Sequence, residues 1–147
     1  MNSDHPGIPT IEPLYDAVVD IGPRRSLGRS PLGERFIIDI LGGTFEGPRL
    51  RGRVLAGGAD RQLVRADGVK ELDALYEMET DDGAVITVHN RVLIEDPSPD
   101  GRYARSVVRL TAPDGPHAWL NRRIFVGTLT PLPAERKAVR IGVYLLL

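Results

Sequence analysis

The chain has no cysteine among its 147 residues, which removes disulfides, thiolate nucleophiles and thiolate metal sites together. It also lacks any window approaching the roughly 18 consecutive apolar residues of a membrane-spanning helix. Its start, MNSDHPGIPTIEP, has neither the basic lead nor the apolar stretch of a secretion signal. No membrane partner is therefore expected, and a cytoplasmic location is the default. An excess of either charge is missing too: 19 basic residues stand against 20 acidic ones, a formal net charge of −1. No field large enough to attract nucleic acid is implied, and a nucleic-acid partner is not expected.

Several catalytic signatures are absent as well. No helical pattern follows GGTFEG or GGAD, so neither glycine pair reads as a phosphate-binding loop, and a nucleotide cofactor is disfavoured. No G-x-S-x-G occurs, and Ser26, Ser30 and Ser106 have no evident His or acid partner. The three histidines, His5, His89 and His117, lack the close pairing of a zinc motif. Neither a metal nor any other cofactor is expected.

What remains is a period of two. From Leu14 onward short alternating runs are punctuated by Gly, Pro and Asp, an all-β signature. Expected strands are 14–21, 34–41, 49–56, 72–80, 84–95, 102–111, 118–127 and 137–146, with a short one near 62–66. The segment GVKELDALYEMET offers a rival helical spacing through Val69, Leu72, Leu75 and Tyr76. The alternation of Leu72, Ala74, Tyr76 and Met78 fits better, because TDDGA follows it and Asp82-Gly83 is a strong hairpin signal. EDPSPDGRY and TAPDGPHAW read as longer hairpin loops. About eight antiparallel strands joined by short turns fit a closed or nearly closed barrel or a two-sheet sandwich. In RLRGRVLA the mid-strand Gly52 signals a bend or bulge that barrel closure exploits, which puts the barrel ahead. Residues 1–12 are expected to be a flexible lead-in and 13–147 one barrel domain. The final strand, AVRIGVYLLL, is apolar on both faces near its end, which points to a second subunit or an N-terminal segment against it and to a homo-oligomer.

Three blocks together resemble a known family: GGTFEGPRLRGRVLAGGAD at 42–60, DGVKELDALYEMETDDGAVITV at 67–88, and the WLN at 119–121 ahead of FVG. They are similar to the bacterial and fungal family called domain of unknown function 3237, and they span most of the chain after residue 33. The resemblance implies a barrel of about eight antiparallel strands, similar in shape to allene oxide cyclase or lipocalin-like barrels, with no assigned activity. Two positions depart from the pattern: Arg61 stands where an aromatic residue often follows GGAD, and Leu75 where a basic residue often precedes the tyrosine.

Candidate chemistry centres on a few polar residues set among apolar ones. Asp60, after two glycines, reads either as a turn cap or as a carboxylate pointing into a cavity to act as acid or base. Tyr76 shares its face with Leu72, Ala74 and Met78 and is expected to point inward as a proton donor. Asp73, three residues away, falls on the opposite face of a regular strand. It is either a brace or a general acid. In VHNRV, Asn90 interrupts an inward apolar row, while His89 lies on the other face and is a candidate proton shuttle. Trp119 and Asn121 read as an aromatic wall with a polar handle for a ligand, and Tyr144 of the last strand as a further ligand contact. The reading is a barrel that takes up a small apolar or oxygenated metabolite. It is either a cofactor-free isomerase, cyclase or hydratase, or a non-catalytic carrier. A structural oligomerisation module is the remaining alternative, favoured if side chains fill the interior.

Overall fold

The computed structural model describes residues 7–147, and His5 lies outside them. Ten strands and one short 3-10 helix follow in the order β1 (Ile11–Ile21), β2 (Arg25–Ser30), β3 (Gly33–Glu46), β4 (Gly52–Val54), β5 (Ala59–Arg65), β6 (Lys70–Thr80), β7 (Val85–Ser98), β8 (Gly101–Thr111), the helix (Ala118–Arg122), β9 (Phe125–Pro131) and β10 (Ala138–Leu146). Every pairing is antiparallel. The sheet runs β1-β10-β9-β8-β7-β6, reaches β3 through β4 and β5, and returns to β1. Because β4 and β5 share the space between β3 and β6, the ring has eight strand positions and the barrel is closed.

β3 organises the closure. Its second half, Ile40–Glu46, lies between β1 and β4, and its first half, Gly33–Asp39, between β2 and β5. β1 and β2 thus run one after the other along a single edge of β3, interrupted by Gly22, Pro23 and Arg24. Gly43 and Gly52 allow the neighbouring backbones to meet there. A Cβ on Gly43 would sit 2.0 Å from the Val18 carbonyl oxygen, and one on Gly52 2.0 Å from that of Glu79. The glycine that suggests a bend in the sequence is therefore needed for close strand approach.

The expected alternation holds on β6 and β7. Leu72, Ala74, Tyr76 and Met78 are buried, as are Ile86, Val88, Asn90, Val92 and Ile94. Asp82-Gly83 makes the hairpin, with Gly83 at φ +89°. Four expectations need correction. β2 is additional to the expected strands, since RSLGRS carries no apolar alternation and its residues are mostly exposed. The strand expected over 49–56 shrinks to Gly52–Val54, and Ala56 is exposed. The strand expected over 118–127 is instead the 3-10 helix followed by β9, because Asn121 turns back to hydrogen-bond the backbone of Ala112. Residues 10–12, expected within a flexible lead-in, are instead part of the sheet: Thr10 and Leu147 exchange backbone hydrogen bonds of 3.2 and 2.7 Å, and β1 begins at Ile11.

Large side chains fill one half of the barrel. Leu14, Tyr15, Phe45, Met78, Ile86, Leu110, Leu120, Phe125 and Val143 are all buried there. The 3-10 helix closes that end, with Leu120 pointing in and Trp119 packed beside Phe125. The other half is lined by smaller and β-branched residues and does not fill. Among the described residues, no helix is long and apolar enough to cross a membrane.

A candidate active site in the open half of the barrel

The unfilled half is a cavity of about 170 Å³, and an apolar cavity of about 150 Å³ takes up benzene. Its walls are mainly Val, Ile and Leu: Val19 and Ile21 from β1, Ile38 and Ile40 from β3, Val92 and Ile94 from β7, and Ile141 from β10 among them. Polar groups enter at two levels. Lys70, at the start of β6, and Arg102, near the start of β8, stand at the mouth, while Asp60, Tyr76 and Asn90 lie deeper.

The deep group follows from strand register. Asp60 pairs with Ala74, and Ala74 pairs with Asn90, so carboxyl and carboxamide flank one small side chain in a single row across β5, β6 and β7. Ala74 leaves open the space a larger residue would occupy. Tyr76 is the next inward residue on β6, one row further in.

The glycines before Asp60 have separate duties. Gly57 adopts φ +111°, a conformation that favours glycine. A Cβ on Gly58 would lie 2.4 Å from the Tyr76 Cβ and 2.5 Å from the Leu75 carbonyl oxygen. The chain therefore runs flat against β6 beside Tyr76 and then delivers the first inward side chain, Asp60. Asp60 is a cavity residue; it caps no turn.

Electrostatically the floor is unusual. Gln62 Nε2 donates to Asp60 Oδ2 at 2.8 Å. Asp60 Oδ1, the Tyr76 hydroxyl and Asn90 Oδ1 are buried with no hydrogen-bond partner among the described residues. Unpaired buried polar atoms are costly; the Tyr15 hydroxyl and Ser106 Oγ are two more, but they do not line the cavity, whereas these three sit on adjacent strands of one apolar wall. Burial pushes the Asp60 carboxyl above its ordinary value, against the lowering effect of the Gln62 bond. Burial also pushes the Tyr76 hydroxyl up, and the neighbouring Asp60 charge adds to it. Tyr76 thus holds its proton and is a hydrogen-bond donor, while Asp60 is the group that can exchange one.

The other sequence candidates lie elsewhere. Asp73 and His89 are on the outer face, joined by a 2.6 Å contact between His89 Nε2 and Asp73 Oδ1. Strand alternation sends them outward, and Asp73 reaches the site through its backbone, whose hydrogen bond lowers Asp60, and less through its charge, which raises it. Trp119 is at the closed end, where the Arg49 guanidinium stacks on its ring 4.3 Å from the centroid. Asn121 spends its amide on Ala112, accepting from its N–H at 2.8 Å and donating to its carbonyl at 2.9 Å. Tyr144 is on the outer face beside Val107 and Val126. None of these five residues lines the cavity. Sequence reasoning missed Gln62, Lys70 and Arg102: they share inward parity with their strands, but polar side chains near strand ends read as solvated until the mouth of the cavity is in place. Among the described residues no three His, Asp or Glu side chains converge on one point.

Fold and site define a class: a closed antiparallel β-barrel, packed at one end and open at the other over an apolar cup with an acid at its floor. Within that class, the chain belongs to the family described as Protein of unknown function (DUF3237), whose model matches residues 9–146. It is 35 % identical over 148 residues to a UPF0311 protein of Rhodopseudomonas palustris (strain TIE-1), covering 90 % of this chain and 94 % of that one. It is also similar to a beta-barrel-like protein from Acinetobacter baumannii AYE, with a TM-score of 0.87 and 33 % identity over 97 % of this chain and 99 % of the other. A structure described as an enzyme from Penicillium herquei matches with a TM-score of 0.78 and 26 % identity, over the whole of both chains.

Proposed function

We propose that the protein is an enzyme that carries out acid–base chemistry on a small, largely apolar, oxygenated metabolite, in the class of isomerisation, cyclisation or hydration. The observation that carries this reading is the set of three unpartnered buried polar atoms, on Asp60, Tyr76 and Asn90, facing one apolar cavity. That a relative in structure is described as an enzyme supports it. In this reading Asp60, its affinity for a proton raised by burial, gives a proton to the substrate or takes one from it. Tyr76 donates a hydrogen bond to the oxygen on which charge develops, and Asn90 accepts one from a substrate hydroxyl. The apolar walls exclude water and hold the reacting carbon skeleton in place.

The test is mass spectrometry of small molecules released from the purified protein, followed by incubation of each with fresh wild-type protein and with Asp60→Asn. The expected result is a compound that both proteins bind and that the wild type converts at least ~10²-fold faster, the usual worth of a placed acid or base. A compound released unchanged by the wild type would make the protein a carrier. Ala74→Leu, which fills the space between Asp60 and Asn90, is expected to abolish binding without unfolding the barrel.

The expected self-association has support on the outer face, where Leu93 and Val107 are exposed beside Val126 and Tyr144 across β7 to β10. Sedimentation of the wild type and of Val107→Glu tests it.

A further inference from the structure

The mouth of the cup carries charge that the proposed chemistry does not use. Lys70 and Arg102 are the cationic residues lining the cavity. They flank the end of β7, because the start of β6 and the start of β8 both pair with it: Lys70 opposes Ile94, and Ser98 opposes Gly101. Arg102 is anchored. Its Nη1 donates to the Leu129 carbonyl at 2.7 Å, and its Nε lies 3.9 Å from Asp96 Oδ2. The Lys70 ammonium has no hydrogen-bond or ion-pair partner among the described residues, and the side chain shares the face of Leu72 and Ala74. A lysine so placed extends the apolar wall with its stem and offers its ammonium to whatever stands at the mouth.

The floor has the opposite character. An anion there would lose its water and sit beside a carboxyl that is itself driven toward neutrality, a costly arrangement without a paired cation. The charged end of a ligand therefore belongs at the mouth and its neutral oxygen at the floor.

Resting on the reading of the cup as a binding site, we propose that its ligand is an amphipathic anion. A carboxylate sits between Lys70 and Arg102, an apolar body fills the barrel, and a hydroxyl or carbonyl reaches Asp60, Tyr76 and Asn90. Lys70 lies four residues from Ala74 on β6, roughly 13 Å along a strand. The reach of the lysine side chain shortens that span, so the two polar ends of the ligand stand on the order of 10 Å apart.

The experiment measures binding by calorimetry of ω-hydroxyoctanoate, ω-hydroxydecanoate and ω-hydroxydodecanoate, each beside the diol of equal length, which keeps the deep hydroxyl and lacks the charge. The expected result is that at least one acid binds ten-fold or more tighter than its diol. Lys70→Gln then removes most of that difference and leaves the diol unchanged, while Asn90→Leu weakens acid and diol alike. Equal affinities of acid and diol, unaffected by Lys70→Gln, would overturn the anionic end and leave the cup reading intact. If neither acids nor diols bind a protein that melts normally, both readings fall.

Discussion

The two ends of this barrel are built from the same eight strand positions and differ in what the strands point inward. At the closed end Tyr15, Phe45, Met78, Leu120 and Phe125 meet across the axis, and Phe125 is 0 % exposed. At the open end the corresponding positions are Ala74, Asn90, Asp60 and β-branched residues, which leave the axis empty. The contrast extends to polar groups. Asn121 at the closed end makes two hydrogen bonds to Ala112, while Asn90 at the open end leaves its carboxamide oxygen bare. The division is one of degree, since the Tyr15 hydroxyl at the closed end is also buried without a partner and Gln62 bonds Asp60 at the open one. Packed core and open cavity are thus separated along the barrel axis, and substitutions should sort by end.

Phe125→Ala should be the most disruptive, costing about 3–5 kcal/mol because a fully buried aromatic leaves a cavity that the ring of strands cannot collapse into. Denaturant unfolding checks it, and a cost below about 1 kcal/mol would deny the closed end its role as the core. Asn121→Ala should cost about 1–3 kcal/mol, since it strands the N–H and carbonyl of Ala112 and loosens the 3-10 helix. Binding in the cup should be unaffected, so a loss of affinity would show that the ends are coupled.

Asp60→Asn should act in the other direction. A carboxyl whose proton is held more tightly in the folded than in the unfolded state stabilises the fold while protonated. That contribution is fully present below the ordinary Asp value of 3.8 and is lost as pH rises through the folded value. Between acid and neutral pH the wild type should therefore lose stability relative to Asp60→Asn, by about 1.4 kcal/mol for each unit of upward shift. Melting curves across that range check this. A wild type that gains stability over the variant as pH rises would show Asp60 to be paired instead of poised.

Asp73→Asn, on the outer face, should change least. The exposed contact with His89 is worth at most about 1 kcal/mol. Its removal should leave turnover of any cup ligand within a few-fold, because the Asp73 backbone bond to Asp60 remains and only the smaller effect of its charge is lost.

Much of the fold is legible in the sequence because alternation is a local property. Leu72, Ala74, Tyr76 and Met78 share a face whatever they pack against, and Asp82-Gly83 turns the chain by its own backbone preference. The same rule separates Asp73 from Tyr76 and His89 from Asn90 by residue parity alone. The strand expected at 118–127 fails for the complementary reason. Its pattern is local, but the Asn121 amide bonds to Ala112, and that contact outweighs the alternation. RSLGRS becomes β2 because β3 extends past the end of β1 and offers it an unpaired edge, not because of its own residues.

Period and turn chemistry need only neighbours, so the all-β class, the inward parity of Tyr76 and Asn90, and the place of Asp60 just beyond two glycines could be read from the residues in order. It took the closed barrel to put Asp60, Ala74 and Asn90 in one row, Trp119 and Asn121 at the opposite end, and Lys70 and Arg102 on either side of β7 at the mouth. Those facts depend on register between strands up to tens of residues apart, and register is fixed only when the ring closes and every inward side chain must share one axis.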